Sequence, residues 1–494
     1  MIYEREAGIL LPVFSLYGKD GIGGFGEPSH KFIEFLRGAG VKYWQILPLN
    51  PTGEGDSPYQ SFSAFALNPY FLDLELLVSM NLLLKRELKE YRKKVKGREV
   101  QYHKIYTHLF PLLKKALEKL DRDDEKLQNF IKTEDYWLTD YSLFMAIKED
   151  LDMKPLWQWP HELFIREEKA IKKKERELSD TIMFYKKLQY LLHISYKSLK
   201  DKSEREGLKI MGDMPIYVSR DSCDFWASRD LFQADEMGMP ERVAGCPPDV
   251  FCPQGQRWGN PLYNWKVHED RGYSWWLKRL FRYEKLYHGI RLDHFRGLAS
   301  FYTIPKEDED ATKGRWEKGP GIKFLNRIKE EFPDFLIIAE NLGHLTDDVD
   351  VLLEESGFPG MAVIQFAFDG RKDNPYLPRN YRENLVAYTG THDNETIKSF
   401  VEGLDKAYID RIKEELSIHK RSRLPYGLVK EVLKSRAGLS IIPLQDFLLL
   451  GNEGRINVPG SSFGNWKYRI KKKNLSRRNM RKIRNMLKEA HRLS

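Results

Sequence analysis

Four carboxyl residues lie at the ends of separate apolar runs of the sequence, where charge is costly. Asp213 ends LKIMGD, Asp293 follows GIRL, Glu340 follows FLIIA, and Asp393 follows LVAYTGTH. A buried charge costs several kcal/mol unless it is paired or hydrogen-bonded. A lone Asp at a strand end is more often a cap or turn residue. Four such carboxyls in one chain instead predict a shared chemical site.

The surroundings of these carboxyls differ in a way that suggests a division of labour. Arg291 shares a strand face with Asp293 and is expected to hold that carboxylate ionised. Glu340 follows an apolar run, so burial is expected to raise its pKa and keep it protonated. An anionic nucleophile and a protonated acid about 5 Å apart are what retaining glycoside chemistry requires. Asp393, directly after His392, could bind sugar hydroxyls.

Two other chemistries compete for these sequence features. A metal hydrolase would need clustered histidines, but His294 and His392 occur singly, without an HxH or HxxxH pair at a strand end. Gly21–Gly26 matches GxGxxG, yet no acidic residue lies between Glu34 and Glu54 to bind a ribose. We therefore predict neither a metal nor a cofactor, and interpret the glycines as a tight loop at a barrel mouth.

Aromatic residues in polar, glycine-rich segments are the expected sugar platforms. Tyr59, Phe251 and Trp258 lie in segments of this kind. Flat rings stack on the apolar faces of pyranose units, while polar neighbours bind the hydroxyls. Most of the 11 tryptophans are expected to belong to the core, but the surroundings of Trp258 favour a ligand platform.

Eight short apolar runs, alternating with amphipathic helical segments, must position these residues. They are GILLPVFSL, VKYWQILPL, LKIMGDMPIYV, HGIRLDHF, FLIIAENLG, MAVIQFAF, LVAYTGTHD and LSIIPLQDF. Nearly continuous apolar runs are typical of parallel strands covered on both faces. The pattern predicts an α/β fold, a (β/α)₈ barrel, with a doubly wound sheet as the alternative.

The spacing of the runs predicts the domain organisation. Residues 1–79 are expected to form the first part of the barrel. Residues 80–207, rich in Lys and Glu with helical periodicity, are expected to form a helical insertion between strands two and three. Residues 208–465 would complete the barrel, with further loop insertions at the C-terminal face. Among these, an ordered loop near 245–265 would cover the substrate. A basic helical tail, 466–494, would follow.

Composition excludes several classes of protein. The 494 residues are 41% hydrophobic, enough for a full core. No run approaches the ~20 apolar residues of a membrane span. The N-terminus lacks the features of a signal peptide, and three cysteines without CxxC spacing indicate neither a disulfide framework nor a zinc site. We therefore predict a cytoplasmic protein that does not contact membranes, as a monomer or weak oligomer.

The net charge of +9 is concentrated at one end of the chain. From Trp466 onward the chain carries +11, which leaves −2 on the remainder. Such a run usually forms a solvated helix face. We expect no nucleic-acid partner, although a nucleic-acid-binding protein acting through this tail remains the remote alternative.

Several longer motifs resemble one family. They are GIGGFGEPSHKFIEFLRGAGVKYWQILPLNPTGEGDSPYQSFSAFALNP, GDMPIYV, PPDVFCPQGQRWGNPLYNW, GIRLDHFRG, IIAENLG, YTGTHDNET and NVPGSSFGNW. In this order, from about Gly8 to Trp466, the chain resembles the 4-α-glucanotransferases, or amylomaltases, of the α-amylase clan. The resemblance implies transfer of α-1,4-glucan segments between maltooligosaccharides or starch-type glucans by a retaining double displacement. An α-amylase-like retaining hydrolase is the alternative.

The resemblance also implies roles for individual residues. Asp293 would be the nucleophile, Glu340 the acid/base catalyst, and Asp393 the carboxylate that stabilises an oxocarbenium-like sugar. Arg291 would position Asp293. The residues expected to bind the donor sugar or to lie in the loop that covers it are Tyr59, Asp213, Trp258, Asn260, Arg291, His294 and His392.

Overall fold

The computed structural model describes residues 5–235, 237–248, 252–343, 346–461 and 463–494. Within these ranges twelve strands form two sheets. The strands are β1 (Glu6–Leu10), β2 (Tyr43–Gln45), β3 (Lys209–Met214), β4 (Arg242–Cys246), β5 (Gln256–Pro261), β6 (Gly289–Leu292), β7 (Ser300–Pro305), β8 (Arg315–Lys318), β9 (Leu336–Ala339), β10 (Gly360–Val363), β11 (Leu385–Tyr388) and β12 (Leu439–Pro443).

The larger sheet is an eight-stranded parallel barrel. Its strand order is β10-β11-β12-β1-β2-β3-β6-β9, and each pair of neighbouring strands in this order is parallel. The N–H of Ala339, at the end of β9, donates to the carbonyl of Pro359 (2.9 Å), next to β10, so the sheet is nearly closed. The strand order runs around the ring without reversal. The prediction of a (β/α)₈ barrel is therefore confirmed, and the doubly wound alternative is wrong.

All eight apolar runs of the sequence contribute one barrel strand each. β6 and β10 are buried at every position, and β9 at all but its first. Helices cover the outer face while side chains fill the interior, so both faces select apolar residues. The charged positions Asp213 and Arg291 lie at the strand ends that open onto the C-terminal mouth.

A large helical insertion separates β2 from β3, as predicted. The first barrel helix is α1 (Glu27–Ala39). After α2 (Leu74–Ser79), the insertion contains α3 (Lys85–Lys94), α4 (Tyr102–Leu117), α5 (Glu125–Thr133), α6 (Asp135–Asp150), α7 (His161–Phe164), α8 (Glu168–Glu177) and α9 (Ser179–Arg205). Gln189 of α9 makes two hydrogen bonds to the backbone of Leu67, which fixes the insertion to the loop after β2.

A second, four-stranded sheet lies where the sequence predicted an ordered loop near 245–265. β4 and β5 pair antiparallel, and β4 also pairs with β7, which pairs with β8. The segments are short and interrupted by glycine and proline, so their pattern carries little strand signal. The pairing of β4 with β7 is also non-local, and periodicity within either segment cannot reveal it.

The remaining helices cover the second half of the barrel. They are α10 (Cys223–Ala227), α11 (Trp265–Asp270), α12 (Ser274–Leu286), α13 (Gly321–Glu331), α14 (Asp347–Ser356), α15 (Ile397–Gly403), α16 (Lys406–Leu416), α17 (Leu424–Lys434), α18 (Leu444–Phe447) and α19 (Arg477–Glu489). The basic tail is packed on the barrel: α19 contacts α1, and its residues Ile483, Met486 and Leu487 are buried. Buried Arg492 makes five hydrogen bonds to backbone carbonyls around β1 and β12.

The glycine-rich segment Gly21–Gly26 is a packed turn. A Cβ at Gly23 would lie 1.9 Å from the carbonyl oxygen of Val13, so the close approach requires glycine. Ile22 and Phe25 are buried. Along the described part of the chain, no helix has both the length and the apolar character that crossing a membrane demands.

Candidate active site

Two neighbouring strands bring Asp293 and Glu340 together. Leu292 of β6 lies opposite Ala339 of β9, so the residue after each strand lies at the same level of the mouth. The N–H of His294 donates to Oε2 of Glu340 (2.6 Å), and the N–H of Phe295 donates to its carbonyl (3.0 Å). His294 has a left-handed backbone (φ 51°), an unfavourable conformation for a residue with a side chain. The turn after β6 is thus fastened to the acid.

Arg291 links the neighbouring strands below this pair. It lies opposite Asp213 in the β3–β6 ladder, and both side chains are buried. Its Nε and Nη2 donate to the two carboxylate oxygens of Asp213 (3.1 and 2.9 Å), and Nη2 also donates to Oδ1 of Asp293 (2.8 Å). The hydroxyl of Tyr59 donates to Asp213 (2.7 Å). One guanidinium therefore serves two carboxylates.

The electrostatics of the site differ from the sequence expectation for Asp293. Burial raises the pKa of Asp293 to about 7, although Arg291 acts in the opposite direction. Burial, reinforced by Asp293, raises the pKa of Glu340 to about 8. The contact between Arg291 and Asp293 is as expected. Because Arg291 is shared with Asp213, its effect on the pKa of Asp293 is smaller than that of burial. The direct contact of Arg291 with Asp293 favours ionisation of Asp293 over Glu340.

Asp393 extends the cluster from β11. Its Oδ1 accepts a hydrogen bond from the side-chain amide of Asn457 (2.6 Å), and its Oδ2 lies 3.2 Å from Nε2 of His392. The imidazole of His392 is buried and stacks on Tyr59 with ring centroids 5.2 Å apart. Burial lowers the pKa of His392, which favours the neutral ring beside Asp393.

The antiparallel sheet supplies a polar and aromatic wall. Trp258 of β5 meets His294 edge to face at 4.8 Å between ring centroids. Asn260 is buried: its amide donates to the carbonyl of Val218 (2.8 Å), and its oxygen accepts from Gln60 (3.2 Å). The sheet thus places Trp258 and Asn260 beside the loop after β6.

The structure brings the ten predicted site residues into one connected region. Contacts join Tyr59, Asp213, Arg291 and Asp293; the β6–β9 register adds Glu340 and His294; and Trp258 joins through His294. Phe251, the third predicted platform, lies outside the described residues. Sequence reasoning missed Asn457, although it quoted the NVPG motif that contains it. The available signal was the position of Asn457 after β12, the strand next to the one that leads into the Asp393 loop.

The fold and the site together define a barrel enzyme with carboxyl-based chemistry at the C-terminal mouth. Four carboxyls and Arg291 converge there, as acid/base and nucleophilic chemistry requires. In the described residues, no group of three or more His, Cys, Asp or Glu side chains is arranged to hold a metal ion.

Comparison with known proteins identifies the family. The 4-alpha-glucanotransferase family model matches residues 11–475. The 4-alpha-glucanotransferase of Clostridium butyricum is 43% identical over 462 residues, covering 93% of this chain and 95% of that protein. That of Thermus thermophilus is 41% identical and covers 100% of both. The amylomaltase from Streptococcus agalactiae, solved in complex with acarbose, superposes with a TM-score of 0.96 at 35% identity, covering 99% of this chain and 100% of that one.

The chain belongs to the 4-alpha-glucanotransferase family. This confirms the resemblance found in the sequence motifs and the predicted activity, transfer of α-1,4-glucan segments. The comparisons give no support to the hydrolase or to the nucleic-acid-binding alternative.

Proposed function

We propose that Asp293 is the nucleophile and Glu340 the acid/base catalyst of glucan transfer. The observation that carries this proposal is the β6–β9 register, which places the two carboxyls at adjacent strand ends with different pKa values. When the pair holds one proton, the contact from Arg291 favours the form with Asp293 ionised and Glu340 protonated. A retaining enzyme needs this arrangement before it binds its donor.

The reaction follows in two displacements. A carboxylate oxygen of Asp293 attacks the anomeric carbon, the glycosidic C–O bond breaks, and Glu340 gives its proton to the departing sugar oxygen. Glu340, now ionised, takes the proton from a hydroxyl of the acceptor glucan. The acceptor oxygen attacks the same carbon, and Asp293 leaves as a carboxylate. Two inversions give retention.

Asp393 is proposed to stabilise the positive charge that develops on the sugar ring. Its side chain is 45% exposed, compared with 26% for Asp293. Asn457 donates to one of its oxygens, and His392 lies 3.2 Å from the other. A carboxylate that is oriented by its neighbours but remains open to the cleft can approach the sugar ring.

Two buried imidazole atoms support the assignment of sugar-binding residues. Nε2 of His294 and Nδ1 of His392 have no hydrogen-bond partner among the described residues. Burial lowers the pKa of His294 to about 4, so this ring is neutral as well. Hydroxyls of a pyranose can donate to or accept from such nitrogens. Tyr59 and Trp258 supply ring surfaces beside them.

Transfer must outcompete water, which is present at roughly 55 M. The glucosyl-enzyme on Asp293 can react with either, so the enzyme must gain effective molarity by orienting an acceptor sugar. Gly21–Gly26 is a packed, mostly buried turn, so we do not assign it to covering the cleft. The β5 wall with Trp258 is the element that we assign to acceptor orientation and water exclusion.

Maltotriose tests this proposal directly. We expect a ladder of longer maltooligosaccharides together with free glucose, and little net gain in reducing ends. The Trp258→Ala variant should shift the products towards hydrolysis, whereas a conservative Trp258→Phe should remain closer to the wild type. Chain shortening alone in the wild type, with reducing ends rising in step, would contradict transfer. An unchanged product ratio in Trp258→Ala would remove only the role of Trp258.

We further propose a cytoplasmic location and a monomeric or weakly associating state without nucleic-acid partners. Among the described residues no disulfide bond is formed, which accords with a reducing compartment. Light scattering during size exclusion measures the mass. A stable dimer at micromolar concentration would contradict the proposed state.

A further inference from the structure

The loop that carries Asp393 is held at both ends by buried side chains. This loop, residues 389–397, joins β11 to α15 and also contains His392. The two side chains are Gln365, which follows β10, and Asp446, in α18 after β12. They therefore reach the loop from the barrel strands on either side of β11.

Asp446 ties the first residue of the loop to the last. The hydroxyl of Thr389 donates to its Oδ2 (2.5 Å), and the N–H of Ile397 donates to its Oδ1 (2.8 Å). Asp446 is 1% exposed, and no cation pairs with it among the described residues. Burial raises its pKa to about 6. A buried carboxyl without a cation is costly, and both oxygens of this one are used on the loop.

Gln365 braces the loop across its middle. Its side-chain amide donates to the carbonyls of Thr389 (3.0 Å) and Glu395 (2.9 Å). The amide reaches both because residue 390 is glycine: a Cβ there would lie 2.7 Å from the amide nitrogen. Four hydrogen bonds from two side chains therefore close the loop.

The loop interior transmits this restraint to the carboxylate. The side-chain oxygen of Asn394 accepts from both the N–H (2.8 Å) and the hydroxyl (3.0 Å) of Thr391. The same hydroxyl oxygen accepts from the N–H of Asp393 (3.2 Å). With its ends closed and its interior bonded, the loop fixes the backbone from which Asp393 projects.

We propose that Gln365 and Asp446 are positioning residues for glucan transfer: they clamp loop 389–397 and thereby fix Asp393 against the donor sugar. The clamp rests on the role proposed above for Asp393. A misplacement of about 1 Å can cost about 100-fold in rate even when the substitution lies away from the reacting atoms.

A double-mutant cycle tests the clamp. Asp446→Asn keeps the volume but turns one of two acceptors into a donor, so one end of the loop is released. We expect kcat on maltotriose to fall about 10- to 100-fold with KM changed less than about threefold. In the Asp393→Asn background the same substitution should cost less than about threefold, because the residue that it positions is already disabled.

Each outcome of the cycle has a distinct meaning. Equal losses from Asp446→Asn in both backgrounds would overturn the clamp while leaving the role of Asp393 intact. A fully active Asp393→Asn enzyme would overturn the role of Asp393 and the function of the clamp with it. Glu134→Gln, at a buried carboxylate of the helical insertion, is the control for lost stability alone, and its kcat should equal that of the wild type.

A second variant keeps the test decisive if Asp446→Asn does not fold. Gln365→Glu is isosteric, but an ionised carboxylate would face the carbonyls of Thr389 and Glu395. A protonated Glu could donate one of the two hydrogen bonds, so kcat relative to the wild type should rise as pH falls. A constant ratio across pH, or wild-type activity throughout, would overturn the contribution of Gln365 and with it the clamp.

Discussion

Two buried charge clusters of this molecule contain similar residue types in opposite ratios. In the first cluster, Glu134 of the helical insertion faces two cations of α12, Arg282 and Lys285, at 3.5 and 3.3 Å. At the barrel mouth, one guanidinium, Arg291, faces Asp213 and Asp293, and Glu340 lies one strand further on. The first cluster has more positive than negative groups, and the second has the reverse.

The difference in ratio appears in the pKa values. Burial acts to raise the pKa of Glu134, but Arg282, the indole N–H of Trp137 and Lys285 outweigh it, and the pKa is lowered. At the mouth one cation cannot compensate burial for every carboxyl, and the pKa values of Asp293 and Glu340 rise to about 7 and 8. A satisfied cluster serves stability, whereas a cation-deficient cluster holds protons near neutral pH, as acid/base chemistry requires.

Neutralising the two proposed catalytic carboxyls, Asp293 and Glu340, is expected to have the largest effect on activity. Asp293→Asn and Glu340→Gln should each lower kcat on maltotriose by at least about 10⁴-fold, because they remove the nucleophile and the proton donor at nearly constant volume. Circular dichroism and glucan binding should remain close to wild type. Either variant folded and retaining near wild-type turnover would refute the assignment of that residue.

Removing Arg291, the cation that contacts Asp213 and Asp293, is the next largest change. Arg291→Met leaves Asp213 and Asp293 without their charge partner, so the pKa of Asp293 should rise further. We expect kcat/KM at pH 7 to fall at least about 100-fold, with the acid limb of the pH profile displaced to higher pH. Arg291→Lys restores the charge without the two-pronged geometry and should recover activity in part. An unmoved acid limb in Arg291→Met would contradict the electrostatic role.

The barrel strands were predictable from the sequence, whereas the clamp on loop 389–397 and the four-stranded antiparallel sheet were not. Asp293 and Glu340 could be placed because parallel strands align their carboxyl ends, a local rule that needs only the apolar runs. Asn457 and Asp446 act across the β11–β12 junction on residues more than 45 positions away. No periodicity encodes such pairs. The pKa of Asp293 was mispredicted because the sequence does not show that Asp213 also uses Arg291.

The pH dependence of the wild type sharpens the comparison further. Activity needs ionised Asp293, so kcat/KM should fall as pH drops below about 7, where this carboxyl is protonated. It also needs protonated Glu340, so kcat/KM should fall above about 8. We expect a narrow bell with its maximum between these values, whose limbs belong to the interacting pair. A plateau that extends down to pH 5 would contradict the elevated pKa of Asp293.

The insertion cluster should respond in stability and not in rate. Glu134→Gln leaves Arg282 and Lys285 without their carboxylate, and breaking a buried pair costs about 3–5 kcal/mol. Because the folded pKa of Glu134 is lowered, its contribution is present above the unfolded value of 4.5 and is lost as pH falls through the folded value. Urea unfolding at pH 7 and at pH 4 measures this, and the difference between wild type and variant should shrink at the lower pH.

The exposed arginines of the basic helix α19 should show the smallest effect. Arg477, Arg481 and Arg484 are exposed, and among the described residues none forms an ion pair. Changing all three to Gln should alter the free energy of unfolding by no more than about 0.5 kcal/mol per site and leave kcat unchanged. Deleting the chain from Lys471 would be a poor test, since it also removes the buried contacts of α19 and of Arg492. The triple variant isolates charge. Retention of the wild type on duplex DNA at 150 mM salt, abolished in this variant, would favour a nucleic-acid contact, whereas equal and weak retention of both would leave the face a solvated surface.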